Sequence, residues 1–292
     1  PDGGAAVVLN TERAHISLPK FAQQELGTLT RKIQLKIDSL VDHSAAQLEQ
    51  QLHAEFGAEA CRVFAGRSAD RAALLEVLQT PSPQQTATLV LGAAGGGMTT
   101  LIARAVADYT NGSAACTVVR YINSSPNAST AKSLVADLFA QLSPGQSVPN
   151  LPSRIQVALE KLLSENPCTV VLDGIDHLPS QDAHWLLSCI PKHLPQGSAV
   201  LLGCAQSNPL ANAPDTAHMR KHFLGALNIE DGHAMLNSWL ADGSRPRSLT
   251  SDQSEQVVRA FSLSGCSPLY LRMAALQARR WKHSDAVPRL AE

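Results

Sequence analysis

An α/β fold, with a parallel sheet covered by helices on both faces, is the architecture this 292-residue sequence predicts, and three observations predict it. Short apolar runs alternate with stretches of helical periodicity through the middle of the chain. A glycine-rich loop, GAAGGGMTT from Gly92 to Thr100, follows one such run and opens a helix. A second apolar run, CTVVLD, ends on Asp173. Both features stand at the carboxyl ends of predicted strands, where open α/β sheets hold their ligands.

The first element of the sheet is the run Leu89–Leu91, suited to a strand buried on both faces. After the loop, Leu101, Ile102, Ala105, Val106 and Tyr109 fall at helical spacing. The phosphate-binding pattern G-x-x-x-x-G-K-[ST] lays onto Gly92–Thr99, with Gly92 and Gly97 in register and Thr99 in the hydroxyl position. In such a loop the backbone N–H groups cradle phosphates, the helix N-terminus adds its positive end, and the lysine neutralises β/γ charge. Here Met98 stands where the lysine would. The nucleotide-contacting candidates are Gly92, Gly95, Gly96, Gly97, Met98, Thr99 and Thr100, and Met98 offers a phosphate only an apolar side chain. Asp173 at the end of its strand fits the aspartate that holds Mg²⁺ opposite the P-loop hydroxyl, so Thr99 and Asp173 are the metal candidates. Asp173 and Asp176 are the catalytic candidates. Asp176 either acts on an attacking water or caps the following turn, and Thr99 is also a natural first-turn helix residue.

The other elements follow in order. Leu18 to Glu59 reads as two lead-in helices, RVFAGR (Arg62–Arg67) as a short strand or turn, and Asp70–Leu78 as a helix. TPSPQQTA is a linker before the loop strand. Cys116–Ile122 makes a strand, Ser129–Leu142 and Ser153–Ser164 helices, then the Asp173 strand, helix Asp182–Ile190 and strand Ser198–Cys204; a fifth strand is placed at Phe223–Leu227. From Glu230 the pattern is all-helical, with Asp231–Leu240, Asp252–Leu263 and Pro268–Trp281. The expected domains are a helical lead-in (1–60), the α/β domain (61–228) and a helical subdomain (229–292).

Composition narrows the function classes. A formal net charge of −1 gives no global field for nucleic acid or an acidic membrane, and a basic patch with interleaved aromatics is absent. Arg279, Arg280 and Lys282 form the one basic cluster and read as the solvated end of a helix. No apolar stretch reaches the about 18 residues of a membrane span. The six cysteines show no C-x-x-C pair and read as reduced core thiols. The histidines show no zinc spacing. Arg120, ending the second strand, either faces the phosphates or forms a salt bridge. The chain opens without methionine and ends in polar residues after a helix, so a segment of a larger protein is expected.

The order of motifs resembles the STAND branch of P-loop ATPases, and within it the NACHT type. RVFAGR is similar to the family's F-V-G-R motif, whose backbone lies against the adenine, which brings in Gly66 and Arg67 as nucleotide-binding candidates. VVLDGIDHL is similar to the family's Walker B, LVLDGxDEL, with His177 in place of the glutamate. CSPLYL (Cys266–Leu271) resembles the proline motif that closes over the nucleotide from the helical domain, which adds Pro268; that residue is equally a first-turn helix proline. The likeness covers roughly Phe21 to Trp281 and is greatest to the modules of nephrocystin-3-like and telomerase-associated large proteins.

The resemblance implies a P-loop NTPase three-layer sandwich with strand order 5-1-4-3-2, and ATP or ADP with Mg²⁺ as ligand. It also implies a cytoplasmic setting, cytoskeletal or ciliary sites included, with other proteins or domains of a larger chain as partners, oligomerisation among them, and neither nucleic acid nor membrane. Three positions depart from it together: Met98, His177, and the segment LLGCAQSN, which lacks the family's polar sensor. This combination points to natural degeneracy rather than an engineered knockout of one lysine. The expected function is a nucleotide-sensing or scaffold module with weak or absent nucleotide binding and without significant ATP hydrolysis. The alternative is a slow but genuine ATPase that uses another cation in place of the lysine.

Overall fold

The structure is a computed structural model and describes residues 26, 30, 31, 45–79, 86–112, 116–242 and 246–281. The chain divides into two units, residues 1–48, few of them described, and 49–292. Most of the first lead-in helix and of the TPSPQQTA linker, and Lys282, lie outside the described residues. The second lead-in helix is α1 (Ala45–Ala60), and α2 (Ser68–Gln79) follows. Between them RVFAGR is a turn with no strand pairing.

Five parallel strands form one sheet: β1 (Thr88–Gly92), β2 (Cys116–Tyr121), β3 (Cys168–Asp173), β4 (Ala199–Ala205) and β5 (Arg220–Phe223). Their spatial order is β2-β3-β4-β1-β5, the expected 5-1-4-3-2 seen from the other edge. The strand at 199–205 therefore lies between the loop strand and the Asp173 strand. Helices α3 (Met98–Gly112), α4 (Ala131–Leu142), α5 (Pro152–Glu165) and α6 (Ser180–Cys189) connect the strands.

Alternation along the central strands splits the core in two. Leu89, Leu91, Val170, Leu172, Val200 and Leu202 pack on one face with α4, α5 and α6, while Val90, Val171 and Leu201 pack on the other with α2 and α3. Strands buried on both faces must be apolar throughout, which is why they read as continuous runs. The edge strands do not. β5 is RKHF, half-exposed, and it pairs with β1 from Thr88↔Arg220 to Leu91↔Phe223. The expected strand at Phe223–Leu227 is corrected to these residues. The apolar stretch that suggested it leaves the sheet after Leu224 donates to the Leu91 carbonyl, and its leucines 224 and 227 are buried as packing residues.

The opposite edge is closed by side chains from α1. The Tyr121 N–H donates to His53 Nδ1 at 3.0 Å, so that nitrogen carries no proton and Nε2–H donates to Glu49 at 3.2 Å. The Ser125 hydroxyl also donates to Glu49. All three side chains are buried, and burial, followed by the charge of Arg120, holds the His53 pKa below its ordinary value. A serine, a histidine and a glutamate meet here, but with Nδ1 taken by the backbone and Nε2 carrying the proton the imidazole cannot act as a base. The cluster caps an edge that would otherwise invite pairing.

Arg120 resolves to the ion-pair alternative. It is almost wholly buried and donates to Asp137 and Gln141 of α4 and to the Val119 carbonyl. All six cysteines are free thiols, and four of them, Cys61, Cys168, Cys189 and Cys204, are buried.

The helical subdomain comprises α7 (Ile229–Ala241), α8 (Ser251–Leu263) and α9 (Pro268–Ala278), packed around Leu236, Val257, Phe261 and Leu271. Thr250 and Gln253 form a capping box for α8, and Asn228 caps α7. Arg279 is not a solvated helix end as expected. Its Nη2 donates to the carbonyls of Trp239 and Asp242, closing the C-terminus of α7, where free carbonyls and the helix dipole favour a cation. Among the described residues no helix is long and apolar enough to cross a membrane.

The Arg120–Asp137 pair gives a direct test of this packing. Asp137→Ala leaves a buried guanidinium uncompensated and is expected to cost about 3–5 kcal/mol in urea denaturation, whereas Arg120→Met with Asp137→Leu should recover most of that loss.

Candidate nucleotide site

The site begins with what the loop's backbone requires. β1 ends at Gly92, the chain turns through Ala93–Gly97, and α3 begins at Met98. Gly95 and Gly97 have φ of 73° and 82°, in the left-handed region that a side chain disfavours. The turn closes with the Gly96 N–H on the Ala93 carbonyl at 2.9 Å. Two of its carbonyls are held from outside. Arg67 Nη2 donates to the Gly96 carbonyl at 2.9 Å and to that of Gly225 at 3.0 Å, and the Leu269 N–H donates to Gly95 at 3.2 Å. With those carbonyls turned away, the first N–H groups of α3, which have no partners within the helix, are left for a ligand.

Above the loop is a cleft of about 490 Å³, the size of a small-molecule site. Gly92 to Thr100 make one wall, Asp176 and His177 another, and Pro268, Leu269, Arg272 and Trp239 of the helical subdomain a third. Thus the structure brings together Gly92, Gly95, Gly96, Gly97, Met98, Thr99, Thr100, Asp176 and Pro268.

Beneath it sits Asp173, 3% exposed. The Thr99 hydroxyl donates to its carboxylate, while Oδ1 has no partner. The space beside it exists because β4 carries Gly203 in register with Asp173; a Cβ there would lie 2.0 Å from Oδ1. Burial pushes the Asp173 pKa up to about 6, and the charge of Asp176 adds to this. Asp176 Oδ1 is likewise buried and without a partner. Neither the turn Ile175–His177 nor α6 has a side-chain cap, so the capping alternative for Asp176 has no hydrogen bond behind it. Two orphaned carboxylate oxygens beside a phosphate cradle fit Mg²⁺, which takes one or two carboxylates and completes its shell with phosphate and water. Thr99 and Asp173 would hold the ion, which supplies charge neutralisation at the terminal phosphates.

The remaining predicted residues are placed as follows. Met98 lines the cleft yet packs with the core beneath the loop, in the cluster that contains Leu224. Gly66 and Arg67 do not line the cleft; that segment reaches it through Arg62 and Val63. Arg67 is turned inward, where Asp70 pairs with it at 2.9 Å and its N–H donates to Asp231. Gly66 abuts Asp231 too closely for a side chain. Of the sensor segment only Ala205 reaches the cleft. Pro268 is both the first residue of α9 and a cleft residue. Sequence reasoning missed Arg62, Trp239, Leu269 and Arg272. The signal for Arg272 was its position four residues after Pro268, on the same helix face.

A phosphate cradle facing an acidic strand end, on a sheet of this order, defines a P-loop NTPase fold. The NACHT domain model matches residues 86–242, just over half of the chain, and the chain belongs to the NACHT family. A solved structure, the Aeropyrum pernix ORC1 protein in complex with DNA, is similar over 77% of this chain and 63% of that one, with 17% identity and a TM-score of 0.49. No curated protein matches the chain.

The strain at Asp173 can be measured. A carboxyl raised from 3.8 to about 6 lends stability that is complete below about pH 4 and is lost as pH rises through about 6. Asp173→Asn should therefore exceed the wild type by about 2–3 kcal/mol near pH 8 without Mg²⁺, and by little near pH 4, in denaturant titrations at both pH values.

Proposed function

We propose that this chain is a nucleotide-sensing or scaffold NACHT module of a larger intracellular protein, holding ATP or ADP with Mg²⁺ weakly and hydrolysing ATP negligibly. The observation that carries the reading is Met98 in the lysine position of a loop otherwise built for phosphate. A charge-assisted contact contributes about 1.5–3 kcal/mol, so its loss weakens binding by roughly one to two decades and leaves micromolar to millimolar affinity. Residues 61–228 would hold the nucleotide and 229–292 close over it.

Turnover suffers more. Phosphoryl transfer depends on positioning and on charge stabilisation at the γ-phosphate, and each missing donor costs about 10²–10³ in rate. The lysine is replaced, the second Walker B acid is the exposed His177, and the sensor segment offers the cleft only Ala205. Partners in this reading are proteins or further domains; the near-neutral charge argues against nucleic acid.

A slow ATPase is the second reading, and the orphaned carboxylate oxygens of Asp173 and Asp176 favour it, since they keep the metal and water chemistry within reach. Phosphate release from the protein beside its Asp173→Ala variant decides between the two. Equal, background-level rates are expected; turnover well above that of the variant would establish the ATPase.

A further inference from the structure

Met98 leaves the phosphate cradle one positive charge short, and the walls of the cleft contain a candidate to replace it. Two arginines line it, Arg62 and Arg272. Arg62 is already engaged, with Nε on Glu59 at 3.2 Å and Nη1 on Asp242 at 2.6 Å. Arg272 forms no ion pair within 4 Å among the described residues, although its charge acts on Asp242, a carboxylate already bonded by Arg62; its guanidinium lies over the Trp239 ring, 5.2 Å from the centroid. That stacking restricts the side chain without neutralising it, since a ring face leaves the guanidinium's donors free at its edge.

Its position is fixed by how α9 meets the loop. The helix arrives with its N-terminus on the cradle: Leu269 N–H bonds the Gly95 carbonyl, and Pro268 stands against Gly97, 3.8 Å from where a Cβ would be. Arg272 follows Pro268 by one turn on the same face, about 5.4 Å along the axis, a distance its own side chain spans. The cleft is thus faced by two helix N-termini, α3 and α9, both favouring an anion.

We propose that Arg272 supplies, from the helical subdomain, the positive charge the loop lacks, so that a nucleoside di- or triphosphate is held between the loop and α9. The inference rests on the nucleotide reading above and names the residue that makes it possible without a lysine. A phosphate held this way ties the helical subdomain to the sheet, and the number of phosphates, rather than the base, sets the strength of that tie.

The test is calorimetric titration of the protein with Mg-ADP and with adenosine. Arg272→Ala, and Arg272→Gln, which keeps the stem on Trp239, should each weaken Mg-ADP binding roughly 10- to 100-fold and leave adenosine binding unchanged. Adding Met98→Lys to Arg272→Gln should restore Mg-ADP affinity, because a lysine in the loop takes over the charge. If the wild type binds Mg-ADP and both Arg272 variants bind it equally well, the inference is overturned while the nucleotide reading stands. Equal losses for ADP and adenosine would make Arg272 a packing residue and also overturn it. A wild type that binds neither ligand removes both.

Discussion

Asp173 is held as a buried, half-satisfied carboxylate because β4 places a glycine beside it and nothing else. A Cβ at Gly203 would lie 2.0 Å from Asp173 Oδ1, so any other residue in that register would push the carboxylate out of place. Strand order makes β4 the neighbour of both β1 and β3, and the observed register aligns Gly92 with Ala205 and Asp173 with Gly203. Two inter-strand spacings, about 10 Å, then separate the end of the loop strand from the acidic strand end, a gap that Thr99 bridges by its hydrogen bond to Asp173. The fold tolerates an unpaired buried oxygen there, which costs stability, and the purpose that fits such a cost is a cation.

The charge balance of the cleft follows from the same frame. Acidic groups stand where the metal would sit, whereas the loop carries Met98, which packs with the core under it. The nearby arginines have separate tasks. Arg67 is spent on loop carbonyls and Asp70, and Arg62 on Glu59 and Asp242. What remains is a phosphate cradle that relies on backbone amides and helix ends, with Arg272, which forms no close ion pair among the described residues, on the wall of the same cleft. Affinity and turnover respond unequally to such a loss, because binding needs only net attraction while phosphoryl transfer needs charge at the developing transition state.

What the sequence disclosed and what it concealed divide along physical lines. β1, β3 and β4 were legible because burial on both faces demands uninterrupted apolar runs, and the loop and Asp173 because their spacing is set by local backbone geometry. β5 was not, since an edge strand can be RKHF and still pair, while Leu224 and Leu227, just past it, are buried as packing residues. The fate of Arg120, Arg67 and Arg279 depends on which carbonyls and carboxylates distant segments bring to them, and the same holds for the His53–Glu49–Ser125 cluster at the β2 edge. Trp239 and Arg272 entered the cleft through the docking of two helices, α7 and α9, that local periodicity places only along the chain.

In the proposed reading the cradle engages nucleotide without a lysine and therefore weakly. Heating the purified protein and quantifying nucleotide in the supernatant checks this. A ligand held at micromolar to millimolar affinity is lost during purification, so far less than one nucleotide per chain is expected. A full equivalent of ADP or ATP released on denaturation would contradict the account.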